Sequence, residues 1–323
     1  MVGTGFAAKL RAETLQGDPR AKLVAVAGHT TGKTYQFSQT YGATPIDSWQ
    51  ELVERDDLDL IAICTINRDH GTVARAALEA GKHVVLEYPL SLDPIEGETL
   101  IDLATSQGRL LHVEHIELLG GLHNALKESL ATAGQVFYAR YATISIKRPA
   151  PRGWTYQRDL FGFPFVGALS RLHRLTDLFG KVATVSATRQ FWDAPNPEYF
   201  SACLCTAQLR FTSGVIAEAI YGKGERFWKG ERKFEVYGDR GTLIFDGDRG
   251  QCIREAEIVE IPVGSRRGLF AQDTKMVLDF LTDGTPLYVT AKESLYTLKV
   301  ADAVRLAAET GQTISMSVPG TFA

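Results

Sequence analysis

The sequence predicts two fold classes in tandem: an α/β domain on a parallel sheet over residues 1–115, then an α+β domain on a large, mostly antiparallel open sheet over residues 116–323. Three observations predict this. Up to about residue 115, short apolar runs alternate with helix-compatible segments, the pattern of a doubly wound parallel sheet. Beyond Gly120, strand-like runs follow one another through tight turns, which antiparallel pairing requires. The length of 323 residues also exceeds the size at which one hydrophobic core stops growing.

In the first domain, Leu23–Ala27, Asp59–Cys64, His83–Leu86 and Leu110–Val113 are continuous apolar strands of the kind buried on both faces. Helix-compatible segments separate them: Lys9–Leu15, Thr34–Tyr41, a helix capped by Ser48, and Gly71–Glu79. The stretch Ala80–Leu90 organises the domain. Gly81 caps a helix, the strand His83–Leu86 follows, and Glu87-Tyr88-Pro89 ends it, because proline cannot donate to a ladder. Polar groups at the carboxyl end of a parallel strand are where open α/β sheets bind ligands.

In the second domain a helix (Gly121–Leu130) precedes the long strand Val136–Ile146. A loop rich in Pro, Gly, Arg and aromatic residues (Lys147–Pro164) leads to a helix over Ala168–Phe179. Strands are expected at Val182–Phe191, Cys203–Phe211, Val215–Tyr221, Lys233–Tyr237 and Thr242–Phe245. A final amphipathic helix, about 291–309, is expected to pack back on the first domain.

Composition removes several functional classes. Hydrophobic residues make up 45% and charged residues 23%, an ordinary globular balance. Net charge is -3 with no basic run, so there is no electrostatic footprint for nucleic acid or an anionic membrane. No apolar run approaches the ~20 residues that span a bilayer, and no signal peptide precedes the first motif, so a cytoplasmic location is expected. Cys64, Cys203, Cys205 and Cys252 form no C-x-x-C pair and read as reduced, buried thiols. His112 and Glu114 share one strand face while His115 points to the other, so no metal site is expected there.

Gly3-Thr-Gly5-Phe6-Ala-Ala8 fits G-x-G-x-x-A ahead of a helix, the turn in which backbone approaches a pyrophosphate at a helix N-terminus. Only Met1 and Val2 precede it, whereas a first strand runs about five or six residues. The native chain is therefore expected to begin roughly ten or more residues upstream. An NAD-preferring site would close the second strand with a carboxylate for the ribose hydroxyls. Here the strand ends in Gly28-His29-Thr30-Thr31-Gly32-Lys33, with hydroxyls, an imidazole and an ammonium to receive a 2′-phosphate. NADPH is favoured over NADH.

Gly3-Thr-Gly5, Thr65-Ile-Asn67 with His70, and Ala80-Gly-Lys-His-Val…Glu87-Tyr-Pro-Leu90 together resemble the glucose–fructose oxidoreductase/inositol dehydrogenase family. The resemblance covers the whole length and implies a Rossmann domain joined to an open-sheet domain. It implies cofactor contacts from Gly3, Gly5, Phe6, Ala8, Gly28, His29, Thr30, Thr31, Lys33, Thr65, Asn67, His70, Glu87 and Tyr88. Two departures bear on chemistry. The sugar and polyol dehydrogenases of the family carry a lysine where this chain has Tyr88, and Asp and His where it has Ser170 and Arg174. Oxidising an alcohol needs a base, and arginine does not serve as one.

Glu87-Tyr-Pro, His112-Val-Glu-His-Ile-Glu-Leu-Leu119, Phe161-Gly-Phe-Pro and Phe191-Trp-Asp-Ala-Pro-Asn-Pro-Glu-Tyr-Phe200 resemble instead the biliverdin reductase branch, in its cyanobacterial form. That resemblance implies hydride transfer from NADPH to the central methine carbon of a bilin. Arg171 and Arg174, three apart on one helix face, are the candidates to meet the bilin, with Arg171 first and Arg174 second. Tyr88 is a candidate to stack or to donate a proton, and Lys223 with Arg226, or Arg266 with Arg267, are candidates for the propionates. Two other readings remain open: a sugar or cyclitol dehydrogenase, and a non-catalytic dinucleotide sensor.

Overall fold

A computed structural model of the chain describes residues 1–255 and 257–316. It resolves into two compact units: Met1–Ile116 with Arg267–Tyr296, and Glu117–Arg266 with the chain from Thr297 onward.

The first unit alternates helix and strand. In order come α1 (Phe6–Gln16), β1 (Ala25–Ala27), α2 (Thr31–Tyr41), β2 (Thr44–Ile46), α3 (Trp49–Val53) and β3 (Leu60–Ile63). They are followed by α4 (His70–Glu79), β4 (His83–Leu86), α5 (Pro94–Ser106) and β5 (Leu111–Val113). All pairing is parallel: β1 with β2, and β3 with β4 with β5. Val2 joins the two groups, because it bridges both Ala27 and Ile63. Its N–H bonds the Ala62 carbonyl at 2.8 Å and its carbonyl accepts from Cys64 N–H at 2.7 Å. The spatial order is therefore β2, β1, Val2, β3, β4, β5. Ala8, Ala12, Val26, Phe37, Ala62, Val85 and Val277 form the core around these strands.

The local signals operate as their chemistry requires. Ser48 accepts from Glu51 N–H at 3.2 Å to cap α3, and Asp93 accepts from Ile95 N–H at 2.9 Å to cap α5. Gly81, at φ +72°, turns α4 into β4 with its N–H on the Leu78 carbonyl, while Lys82 N–H reaches Ala77.

The second unit starts with α6 (Gly121–Ser129) and β6 (Val136–Ile146), then α7 (Arg158–Phe161), α8 (Pro164–Gly167) and α9 (Ser170–Phe179). Next are β7 (Val182–Asp193), β8 (Phe200–Phe211), β9 (Ile216–Gly224), β10 (Glu231–Gly238), β11 (Gly241–Asp246), β12 (Arg249–Arg254) and β13 (Glu257–Ile261). With β14 (Ile314–Ser315), these make a nine-stranded sheet ordered β13-β12-β11-β10-β6-β9-β8-β7-β14. All its pairs are antiparallel except the central β6 and β9. Alternation places Tyr141 and Thr143 of β6, Tyr221 and Lys223 of β9, and Arg232 and Phe234 of β10 on one face, since these residues are register partners or lie two apart.

One of the last two helices differs from the sequence reading. α10 (Leu269–Asp283) lies in a stretch that the sequence alone leaves in the second domain, yet it belongs with the first unit. It packs on α1, with Phe270 edge-on to Phe6 at 6.1 Å and Asp273 ion-paired to Arg11. α11 (Ala291–Thr310) is divided, its first residues lying with the first unit and those from Thr297 with the second. Thr297 bonds Thr176, and Glu309 pairs with Arg189. No helix among the described residues is long and apolar enough to cross a membrane.

Gly3 sits at φ +112°, and a Cβ there would lie 2.2 Å from the Cys64 carbonyl oxygen, whereas one on Gly5 would meet nothing within 4 Å. Gly3→Ala is expected to cost roughly 1–3 kcal/mol or more in thermal or urea unfolding, through overpacking and backbone strain. Gly5→Ala should melt with the parent. Equal melting of the two variants would contradict this account.

Candidate active site

The strand end singled out by sequence is held by buried charge. Arg11, only 1% exposed, donates to Glu87 at 2.9 Å, to Asp273 at 2.7 Å and to Thr274 at 3.1 Å. Asp273 also meets His112 Nε2 at 2.8 Å and accepts from Tyr288 OH at 2.8 Å. Although burial pushes the Asp273 carboxyl upward, Arg11 and His112 hold it far below the usual carboxylate range. Glu114 is buried beside Glu87 and Asp273, and burial first, then those two charges, drives its pKa well up. Three carboxyl groups thus share one guanidinium. Burial and the two neighbouring carboxylates therefore favour the protonated form of Glu114.

Tyr88 stacks on His115, with ring centroids 5.4 Å apart and planes 8° apart, and His115 Nε2 lies 2.8 Å from Ser294 Oγ. His70 is buried, and that burial lowers its pKa despite two carbonyl contacts. Its Nδ1 faces the Pro89 carbonyl at 2.8 Å and its Nε2 the Thr65 carbonyl at 3.3 Å. His70 therefore braces the Thr65 and Pro89 turns and does not reach outward. Asn67, 4% exposed, begins the short turn leading to α4.

The dinucleotide motif divides by role. Gly3 and Gly28 are glycine for want of space: a Cβ on Gly28 would come within 2.7 Å of Thr34 Oγ1. Ala8 is fully buried in the core and offers a ligand only backbone, whereas Phe6 is 74% exposed. α1 begins at Gly5 with no side-chain cap and no acid in its first turn, so its N–H groups face an open space. α2 likewise begins uncapped at Thr30, with no acid in its first turn. His29, Thr30, Thr31 and Lys33 are exposed there. Unpaired donors at two helix starts, with hydroxyls and a lysine beside one of them, fit a phosphorylated dinucleotide.

In the second unit α9 carries the two predicted arginines, and the structure brings them together. Arg174 is 1% exposed and donates to Glu117 Oε2 at 2.6 Å. Arg266 reaches Glu117 Oε1 at 3.1 Å. Burial raises the Glu117 pKa, but Arg174, Arg266 and Arg171 overcome it and hold the carboxyl down at about 2. Arg171 is half-buried, donates to Ser170 Oγ at 2.9 Å and lies 5.5 Å over the Tyr221 ring.

The other two predicted substrate contacts, Lys223 and Arg226, lie at the end of β9 and just after it. Lys223 is 6% exposed. Its ammonium donates to the Thr155 carbonyl and sits over Phe161 at 3.6 Å, Tyr156 at 4.7 Å and Phe200 at 5.2 Å. Burial lowers its pKa to about 8. These contacts fasten the Trp154–Phe161 segment to β9. Arg226 is exposed on the turn after β9 and joins none of these groups.

Residues 1–115 match the oxidoreductase family with an NAD-binding Rossmann fold, and residues 127–316 match that family's C-terminal alpha/beta domain. The chain belongs to the Gfo/Idh/MocA oxidoreductase family. Mouse biliverdin reductase A is 30% identical over 309 residues, 94% of each chain. A crystal structure of biliverdin reductase from Synechocystis sp. PCC 6803, in complex with biliverdin and NADP+, is 56% identical. It covers 95% of this chain and 98% of its own, with a TM-score of 0.94. A putative myo-inositol dehydrogenase from Sinorhizobium meliloti, 18% identical with a TM-score of 0.78 over 98% of both chains, shares the fold.

Against this family background, sequence reasoning missed Arg11, Asp273, Tyr288, Glu117 and Arg232 as members of the two charged clusters. Glu117 was visible only as one letter of the His112–Leu119 run. Arg11 lies mid-helix, where a buried cation has no local signature, and its partner Asp273 is 262 residues away.

Glu114 gives a signed pH test. Its folded pKa lies above that of the unfolded chain, so as pH rises past about 4.3 the unfolded state releases a proton that the folded state keeps. Stability is lost with rising pH until the folded pKa is passed. Glu114→Gln, whose amide oxygen still accepts from Ile116 N–H, should be at least as stable as the parent at pH 8 and flatter in urea unfolding between pH 6 and 9. A variant that loses stability equally at every pH would show that Glu114 is ionised in the fold.

Proposed function

We propose that this protein reduces biliverdin to bilirubin with NADPH. The observation that carries the reading is the 56% identity, over 95% of the chain, to a structure that holds biliverdin and NADP+. The chemistry of the residues agrees. The cofactor half of the family's apparatus is intact, while the positions that carry a base in the sugar and polyol dehydrogenases hold Tyr88, Ser170 and Arg174. Arg174 is buried and ion-paired, so it cannot accept a proton from a carbinol.

Bound NADPH supplies a hydride to the central methine carbon of the bilin, and a proton from solvent completes the reduction at a pyrrole nitrogen. The chain's own residues do the rest. The uncapped start of α1 and the Gly3–Gly5 turn receive the pyrophosphate, with Phe6 flanking it. His29, Thr30, Thr31 and Lys33 receive the 2′-phosphate, which is the basis for preferring NADPH to NADH. Thr65, Asn67 and Glu87 line the strand ends beside the cofactor, with His70 and Arg11 fixing them in place.

Arg171 is the residue we assign to the bilin. Held by Ser170 and lying over Tyr221, it presents a permanent cation that polarises the conjugated system and orders a water for protonation. Tyr88 offers a flat ring for stacking. As a proton donor it is poor, since an ordinary phenol titrates near ~10. We assign the reaction to the cytoplasm, in keeping with four buried, unbridged cysteines.

With biliverdin and NADPH, the blue-green absorbance should decay as a yellow band grows, faster than with NADH. Arg171→Ala should bind NADPH like the parent and turn over roughly 100-fold or more slower, the usual scale for losing a group that assists proton transfer. Parental turnover in that variant would remove Arg171 from the mechanism. Folded protein that binds NADPH and bleaches no bilin would refute the reading.

A further inference from the structure

The cluster around Glu117 holds more positive charge than its partners neutralise. Arg171, Arg174, Arg232 and Arg266 act on this single carboxylate or on one another. Arg174 is 1% exposed, and its Nε and Nη1 have no hydrogen-bond partner. Arg232 is half-buried, and among the described residues its guanidinium makes no hydrogen bond or ion pair. Burial first, then Arg266, lowers its pKa, a direction arginine takes when desolvated beside like charge. Arg266, Tyr141, Glu117 and Arg174 all act on it electrostatically.

Its position is set by the sheet. Arg232 pairs across β10 and β6 with Thr143, whose hydroxyl lies 3.4 Å from Arg171 Nε. Tyr141, stacked on Phe234 at 4.7 Å, covers the next position on the same face. A cation therefore stands one strand from Arg171, beside an aromatic wall, with its donors unspent. Buried cations without partners are costly, and an arriving anion that accepts their hydrogen bonds removes that cost.

We infer that Arg232, with the free edge of Arg174, is a carboxylate-binding station that holds a propionate of the bilin and makes the protein selective for the diacid. The inference rests on the biliverdin reading. Arginine suits the task because its planar fork matches a carboxylate. Arg232 is thus a specificity-determining residue: it acts on a substituent remote from the reduced carbon, so its contribution is to binding and not to the hydride step.

The test compares biliverdin with its dimethyl ester, which has the same chromophore and no carboxylates, in the parent, Arg232→Gln and Arg232→Lys. Turnover is followed by absorbance, bilin binding by titration without reductant, and folding by thermal melts. The parent should prefer the diacid. Arg232→Gln should weaken diacid binding and raise its KM roughly 10- to 100-fold, with kcat nearly unchanged and the ester unaffected, the scale of one charge-assisted hydrogen bond. Arg232→Lys should restore part of the preference, which a merely structural defect would not do. Equal effects on diacid and ester, or no effect on either, overturn the inference while leaving the activity standing. A parent that neither binds nor reduces either bilin overturns the activity, and the inference with it.

Discussion

The guanidinium of Arg11 is the constraint from which the first unit takes its form. It satisfies Glu87 at the exit of β4 and Asp273 of α10 at once, and its own helix opens at the glycine turn. One side chain thereby ties the glycine turn, the strand end and the helix contributed from far along the sequence. Such a network is stringent, since removing either sign leaves the other buried and uncompensated. Here burial and the neighbouring carboxylates raise the pKa of Glu114, so the network favours the protonated form of that group.

The second unit has the opposite imbalance. Around Glu117, Arg171, Arg174, Arg232 and Arg266 act on one carboxylate or on one another. A surplus of buried acid can be settled by a proton, but a surplus of buried arginine cannot, because the guanidinium does not give its proton up. That asymmetry explains why one cluster reads as a brace and the other as a receptor. Buried beside Glu117, Arg174 keeps two nitrogens without a hydrogen-bond partner, the spare capacity on which the proposed carboxylate station draws.

Much of this was legible in the sequence, and the reason for each success and failure is physical. The parallel strands announced themselves because both their faces are buried, so every residue from Ala25 to Ala27 had to be apolar. Gly81 and Ser48 announced themselves because helix ends impose local chemistry. Arg171 and Arg174 followed from helical spacing together with a family resemblance. The surroundings of Lys223 were not legible, because a lysine in a strand has the same letter whether its ammonium meets solvent, a carboxylate or aromatic rings. Only the arrival of Tyr156 and Phe161 from the Trp154–Phe161 segment, and of Phe200 from β8, fixes them. Asp273 was invisible for a related reason: its importance lies wholly in a partner distant in sequence.

The aromatic enclosure of Lys223 has a consequence in terms of ionic strength. Its attraction is that of a cation for ring faces at contact distance, shielded from solvent, so dissolved ions scarcely reach it. The pull of the arginine cluster on an approaching anion acts through solvent and fades beyond about 8–10 Å at physiological salt. Rising salt should thus slow the capture of an acidic ligand well before it loosens the segment that Lys223 fastens, so that encounter and architecture respond to separate variables.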